Sequence, residues 1–203
     1  MPSRQKLIFA LVVLLIALVT AGGALWLTRS GPGGPLSSGQ ALVGGPFSLT
    51  NQDGKRVTDQ DYRGKYMLIF FGFTFCPDVC PSELQVMSAA LDQLGPQGDK
   101  IQPVFITIDP ERDTPEAMKL YVSNFHPRMV GLTGSSEDIA AVAKAYRVYY
   151  AKAKAAEGSA PGDYLMDHST ILYLMGPDGR FVKHFTYGTD VKTLAEGLRE
   201  VVQ

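Results

Sequence analysis

The chain has 203 residues, two of them cysteine, with 19 Lys and Arg set against 20 Asp and Glu. After a membrane segment is subtracted, that length holds one domain of ordinary size, able to bury a core without disulfide staples. Charge so evenly balanced offers no large basic field, which excludes nucleic-acid binding through the phosphate backbone.

Residues 1–6 carry Arg4 and Lys6 and are followed over 7–27 by an uninterrupted uncharged run, LIFALVVLLIALVTAGGALWL. As a helix this run spans about 30 Å, the thickness of a bilayer core, and Trp26 stands at its far end as an interfacial aromatic would. Small residues at 20–24 also fit a cleaved signal peptide, but the apolar run is longer than a signal core, so an uncleaved single-pass anchor is expected. The basic flank places 1–6 in the cytoplasm and everything beyond Thr28 outside. Without an Arg- and Ser-rich presequence before the run, a bacterial inner-membrane protein with a periplasmic body is expected. Residues 28–45, rich in Gly, Ser and Pro, read as a flexible linker with a reach of about 20–25 Å, and 46–203 as the globular domain.

Within that domain Phe47-Ser48-Leu49-Thr50 and Lys55-Arg56-Val57 flank Asn51-Gln52-Asp53-Gly54, the signature of an N-terminal β-hairpin. YMLIFF at 66–71 and VFITI at 104–108 are apolar throughout, as strands buried on both faces are. Between them Leu84, Met87, Leu91 and Leu94 recur at helical spacing up to Gly95-Pro96. Thr114-Pro115-Glu116 caps a helix expected to reach about residue 125. A short strand at 129–132 and a helix at 136–146 follow. The stretch 148–167 is the least regular and reads as an inserted loop or short hairpin standing away from the core. Strands at 171–175 and 181–186 are joined by Gly176-Pro177-Asp178-Gly179, and an amphipathic helix at 190–202 closes the chain. Alternating strands and helices define the α/β class, and the whole order describes a thioredoxin-like fold.

The cysteine loop, Cys76-Pro77-Asp78-Val79-Cys80-Pro81, lies directly between a buried strand and a helix. A structural disulfide across so short a loop would constrain the unfolded chain very little, so the pair is better suited to chemistry. Pro81 lacks the N–H needed inside a helix, so the helix is expected to begin there, with Cys80 near its cap and its thiol pKa lowered by the positive helix end. Three intervening residues, rather than two, let both sulfurs face one soft ion such as copper(I), though a reversible disulfide is also feasible. Of the three histidines, His126 reads as a solvent-exposed residue at a helix end and His184 as a surface residue of a strand. His168, in Asp167-His168-Ser169-Thr170, enters the strand at 171–175 and would face the cysteine loop in a thioredoxin-like fold. Ser169 stands where that fold normally has a cis-proline. This favours His168 as a third metal ligand, oriented through its second nitrogen by Asp163 or Asp167; the competing reading is a surface loop histidine held by Asp167. Phe73, Phe75, Tyr164 and Met166 read as packing residues that keep the cleft dry. The run 109–115 reads first as a strand-ending turn before a capped helix.

Three segments taken together, FGFTFCPDVCPSEL (71–84), ITIDPERDTPE (106–116) and DYLMDHSTILYLMGPDG (163–179), resemble the Sco/SenC family of copper chaperones for cytochrome c oxidase. The likeness runs over about 43–201. It implies that Cys76, Cys80 and His168 bind copper(I) or copper(II) and that the metal passes to the copper A-bearing subunit of the oxidase. Another periplasmic copper chaperone or a thioredoxin-like reductant is an implied further partner. The main expectation is therefore a binding and transfer protein without turnover of a small substrate. The alternative is a periplasmic thiol-disulfide oxidoreductase, with Cys76 and Cys80 as its redox pair, that keeps the oxidase copper-site cysteines reduced. A peroxide-reactive thioredoxin relative is a weaker third.

Overall fold

The computed structural model describes Thr20 and residues 43–153 and 164–202. Among these no helix is long and apolar enough to cross a membrane. The anchor expected over 7–27 lies, Thr20 apart, outside the described residues, as do most of the linker and the glycine-rich centre of the 148–167 loop.

Sequence order translates into nine strands and four α-helices among the described residues: β1 Ser48–Asn51, β2 Arg56–Thr58, β3 Tyr66–Gly72, α1 Val79–Leu94, β4 Ile101–Thr107, α2 Pro115–Val122, β5 Val130–Thr133, α3 Ser136–Ala145, β6 Tyr150–Lys152, β7 Met166–His168, β8 Ile171–Met175, β9 Phe181–Thr186 and α4 Val191–Arg199. Seven strands form one sheet in the order β2-β1-β5-β4-β3-β8-β9, while β6 and β7 pair separately. The central β3, β4 and β5 are parallel, and β8 runs antiparallel to β3. This is the expected thioredoxin-like α/β arrangement, preceded by the predicted hairpin of β1 and β2.

The two apolar runs became central strands because only a position covered on both faces makes such runs favourable. Met67 to Phe71 are sealed from solvent, as are Val104, Phe105 and Ile106 opposite them. The second strand starts three residues earlier than predicted, before Pro103. Only residues 104–106 of β4 pair with β5, so Pro103 has a neighbouring strand on one side alone, where a missing N–H is tolerated. Helix ends follow their caps: Thr114 and Ser135 each accept a backbone N–H from the first turn. Helix α2 stops at Val122, short of the expected 125, because Asn124 and Ser123 turn their side chains back onto the Leu120 carbonyl. The 148–167 stretch is not wholly detached. Val148 and Met166 belong to the core, and the β6–β7 ladder ties Tyr150 to His168.

One buried carboxylate joins the open ends of the three parallel strands. Asp113 is inaccessible to solvent and accepts hydrogen bonds from the Thr74 amide, the Thr74 hydroxyl and the Thr107 hydroxyl, while its own carbonyl accepts from Thr133 Oγ1. Thr74 leads from β3 into the cysteine loop, Thr107 ends β4 and Thr133 ends β5. Burial raises the Asp113 pKa, and the three donors oppose that rise. Asp113→Ala leaves the buried Thr107 hydroxyl and the two part-buried Thr74 donors without their acceptor and is expected to cost about 3 kcal/mol. The check is urea denaturation, with an unchanged midpoint as the result that contradicts the hub.

Candidate metal centre

The cysteine loop leaves the buried end of β3 and feeds helix α1, which begins at Val79 with Asp78 as its N-cap rather than at Pro81. Pro81 is accommodated because it lies in the first turn, where its missing N–H would have had no intrahelical acceptor. The shift moves Cys80 into the helix and leaves Cys76 ahead of it, with the Cys80 backbone N–H donating to Cys76 Sγ at 3.3 Å. The sulfur that receives the helix amide is therefore Cys76, not Cys80 as the sequence implied.

The two thiols are chemically unequal. Both are free; Cys80 is buried and Cys76 is half-buried. A hydrogen bond from the Cys80 thiol, together with backbone amides of the helix start, holds the Cys76 pKa down to about 4 against the opposing effect of burial. The same hydrogen bond, together with burial, pushes Cys80 well above the ordinary thiol range. The first negative charge of the pair therefore falls on Cys76 rather than on Cys80. Gly72 makes this packing feasible: a Cβ there would lie 2.7 Å from Cys80 Sγ and 2.9 Å from the Phe105 ring.

His168 stands at the end of β7, and its Nε2 lies 3.7 Å from Cys80 Sγ. Its Nδ1 lies 3.0 Å from the Ser169 carbonyl, which can only accept, so Nδ1 carries the proton and Nε2 presents a lone pair toward the sulfurs. The orienting group expected at Asp167 is this backbone carbonyl instead; Asp167 is exposed, and Asp163 lies outside the described residues. A backbone acceptor leaves no side-chain signal in the sequence. The imidazole is also wedged edge-on against Phe70 and Phe73. A sulfur and an imidazole nitrogen about 2.3 and 2.0 Å from one tetrahedral ion lie about 3.5 Å apart, close to the spacing seen. Among the described residues no group of three or more His, Cys, Asp or Glu is already placed to hold a metal ion; Cys76 and His168 open on one mouth, and Cys80 Sγ is buried beside them. That mouth opens on a cleft of about 300 Å³ lined by Phe73, Cys76, Asp78, Leu165, Met166 and His168.

The other two histidines lie elsewhere. His184 is exposed on β9 and stacks on Phe181, as anticipated. His126 is only 7% accessible rather than solvent-exposed; the turn at Pro127 folds its ring inward, where Nδ1 accepts the Arg128 N–H, and burial lowers its pKa. Phe73 and Met166 pack as predicted, but Phe75 is 59% exposed at the lip of the cysteine loop.

A thioredoxin-like domain with a CxxxC pair and a histidine facing it defines a class of thiol-based metal or redox proteins, and the comparisons with known proteins narrow it. Residues 36–203 match the SCO1/SenC family, and the chain belongs to that family. It is 49% identical over 163 residues to the mitochondrial protein SCO1 homolog 1 of Arabidopsis thaliana, covering 80% of this chain and 48% of that protein. The chain thus spans about half the length of the curated relatives it matches. The crystal structure of Arabidopsis thaliana ScoI with copper bound superposes with a TM-score of 0.73 at 48% identity, over 78% of this chain and 98% of that one. BsSco, described as a member of the Sco family of cytochrome c oxidase assembly proteins with a disulfide switch, superposes with a TM-score of 0.61 at 26% identity, over 79% and 94%.

Because the anionic form of Cys76 is the favoured one in the fold, its thiolate persists from neutral pH downward and is lost only as pH falls through about 4. Thiolate absorbance near 240 nm in the reduced protein is expected to hold at about one equivalent between pH 8 and pH 6. It should vanish in Cys76→Ser, and a single transition near pH 9 would contradict the assignment.

Proposed function

We propose that this chain is a membrane-anchored copper metallochaperone that binds the metal through Cys76, Cys80 and His168 and delivers it to the copper A centre of cytochrome c oxidase. The observation that carries the reading is the proximity of Cys76, the buried Cys80 sulfur and His168 Nε2, with Cys76 and His168 lining one cleft. Two sulfurs and one imidazole form a soft donor set suited to copper(I). Family membership supports copper as the cargo, since a relative of nearly half-identical sequence and the same fold is copper-bound. The oxidase as acceptor is supported by the assembly role stated for BsSco. The copper A-bearing subunit, and a copper-donating chaperone or thioredoxin-like reductant, are the partners that follow.

Each residue has a defined task in loading and release. Cys76, already deprotonated and half-exposed, meets the incoming ion first. Cys80 gives up its proton as the ion arrives, because a metal replaces that proton as the charge partner of the sulfur. His168 adds a neutral donor whose direction is fixed by the Ser169 carbonyl. Three protein donors leave copper(I) open to attack by thiolates of an acceptor, so transfer proceeds by exchange of ligands. Residues 7–27 are proposed as the anchor and 28–45 as the tether that lets 46–203 reach a membrane-bound acceptor on the periplasmic side of a bacterial inner membrane.

A second reading rests on the same pair of sulfurs. An accessible low-pKa thiol backed by a buried one is also how a dithiol reductant attacks and then resolves a partner disulfide. His168 separates the two. A copper(I) competition titration of the reduced chain in non-ionic detergent is expected to give one tight equivalent. His168→Ala and Cys80→Ser should each weaken binding at least tenfold. Weak binding indifferent to His168, with disulfide exchange intact, would reject the chaperone and leave the reductase.

A further inference from the structure

Arg112 was read from the sequence as part of a strand-ending turn, yet it occupies the joint between the two segments that carry the proposed ligands. Its Cζ lies 3.8 Å from the Tyr164 ring centroid, 4.6 Å from that of Phe75 and 5.9 Å from that of Phe73. Phe75 immediately precedes Cys76, and Tyr164 lies just upstream of Met166–His168. Arg112 Nη1 donates to the Tyr164 carbonyl at 2.9 Å and Nε donates to Asp109 Oδ2. Asp109, itself 2% accessible, accepts a second hydrogen bond from the Tyr164 hydroxyl at 2.8 Å. Three chain segments, the cysteine loop, the end of β4 and the approach to β7, thus meet on one guanidinium.

The chemistry of this joint is costly in a way that a merely structural turn would not require. Arg112 Nη2 is shut off from solvent and has no hydrogen-bond partner. Its surroundings are ring faces, which attract a desolvated cation electrostatically but only weakly accept an N–H. A planar cation that stacks and forks at once is what a guanidinium supplies and an ammonium does not. An aromatic pair alone would bury the rings without fixing the Tyr164 backbone.

We propose that Arg112 is a positioning residue for the metal centre, clamping the cysteine loop to the β7 segment so that the sulfurs and His168 Nε2 keep their spacing. The proposal rests on the copper-binding reading for its functional consequence, but the clamp itself is a property of the metal-free protein. Removing the guanidinium should loosen both segments together, while the core, which Arg112 meets at Phe73, keeps its packing.

The test compares the full chain with Arg112→Gln and Arg112→Lys in detergent, by amide hydrogen exchange of the metal-free reduced protein and by copper(I) competition. Arg112→Gln is expected to speed exchange at least tenfold in 74–80 and 164–169 together, with β3 and β4 unchanged. It should also weaken copper(I) binding about tenfold, as loss of a ligand-orienting group does. Arg112→Lys, which keeps charge but neither stacks as a plane nor forks, should resemble Gln more than wild type. Unchanged exchange in both segments, or exchange quickened across the whole domain, would overturn the clamp whatever copper does. A wild-type chain that binds no copper, paired with selective loosening in Arg112→Gln, would overturn the chaperone reading and leave the clamp standing.

Discussion

The register between β3 and β8 is the constraint on which the site depends. Parallel strands release their chains at one edge of a sheet, and an antiparallel neighbour enters at that same edge. Phe70 pairs with Leu172, so the residues that follow β3 and those that precede β8 must meet. This is how Cys80 and His168, 88 positions apart in the chain, come within 3.7 Å without any loop reaching across the fold. A shift of the register by one residue would exchange the two faces of β8, and with Leu172 and Leu174 packed on one and Tyr173 and Met175 on the other, such a slip would misfit both sides of the core.

Around that register the structure distributes rigidity unevenly. Asp113 fixes the departure of the cysteine loop from below, through Thr74, while Gly72 supplies the only side-chain size that lets Cys80 Sγ approach the strand. Above the same loop, Phe75 is exposed and held against the Arg112 guanidinium rather than by burial. The sulfur closest to the core is consequently the better-buried one, and the sulfur closest to solvent is the one that collects the free amide of the helix. Unequal thiols arise from position alone, with no charged side chain needed beside either.

Much of this was legible in the sequence because the determining signals were local. Continuous apolar runs marked β3 and β4, the Gly176-Pro177-Asp178-Gly179 turn marked β8 and β9 at their true limits, and Thr114-Pro115 marked a helix start. The three proposed ligands were readable as residue types at suggestive places. What escaped were the partners set by three-dimensional proximity. Nothing in the spacing of Cys76 and Cys80 said which would receive the helix amide, since that turned on whether α1 began two residues before Pro81. The Ser169 carbonyl is invisible to a reading of side chains. His126 sits beside Pro127 and so read as part of an exposed turn, whereas that turn folds the ring inward. Arg112 read as a turn residue because its partners, Phe75 and Tyr164, come from segments 37 positions before and 52 positions after it.

The inequality of the two sulfurs gives the mouth a direction. Cys80 is backed by Gly72 and has no surface open to solvent, whereas Cys76 is half-buried, so Cys76 is the sulfur that solvent meets. An ion, an alkylating reagent or a disulfide encounters the same sulfur first, regardless of its chemistry, and whatever departs leaves by the same route. The order of bond making on entry is therefore the reverse of the order of bond breaking on exit. A geometry of this kind works as a single-file port, in which the sequence of events is written into the packing of a glycine.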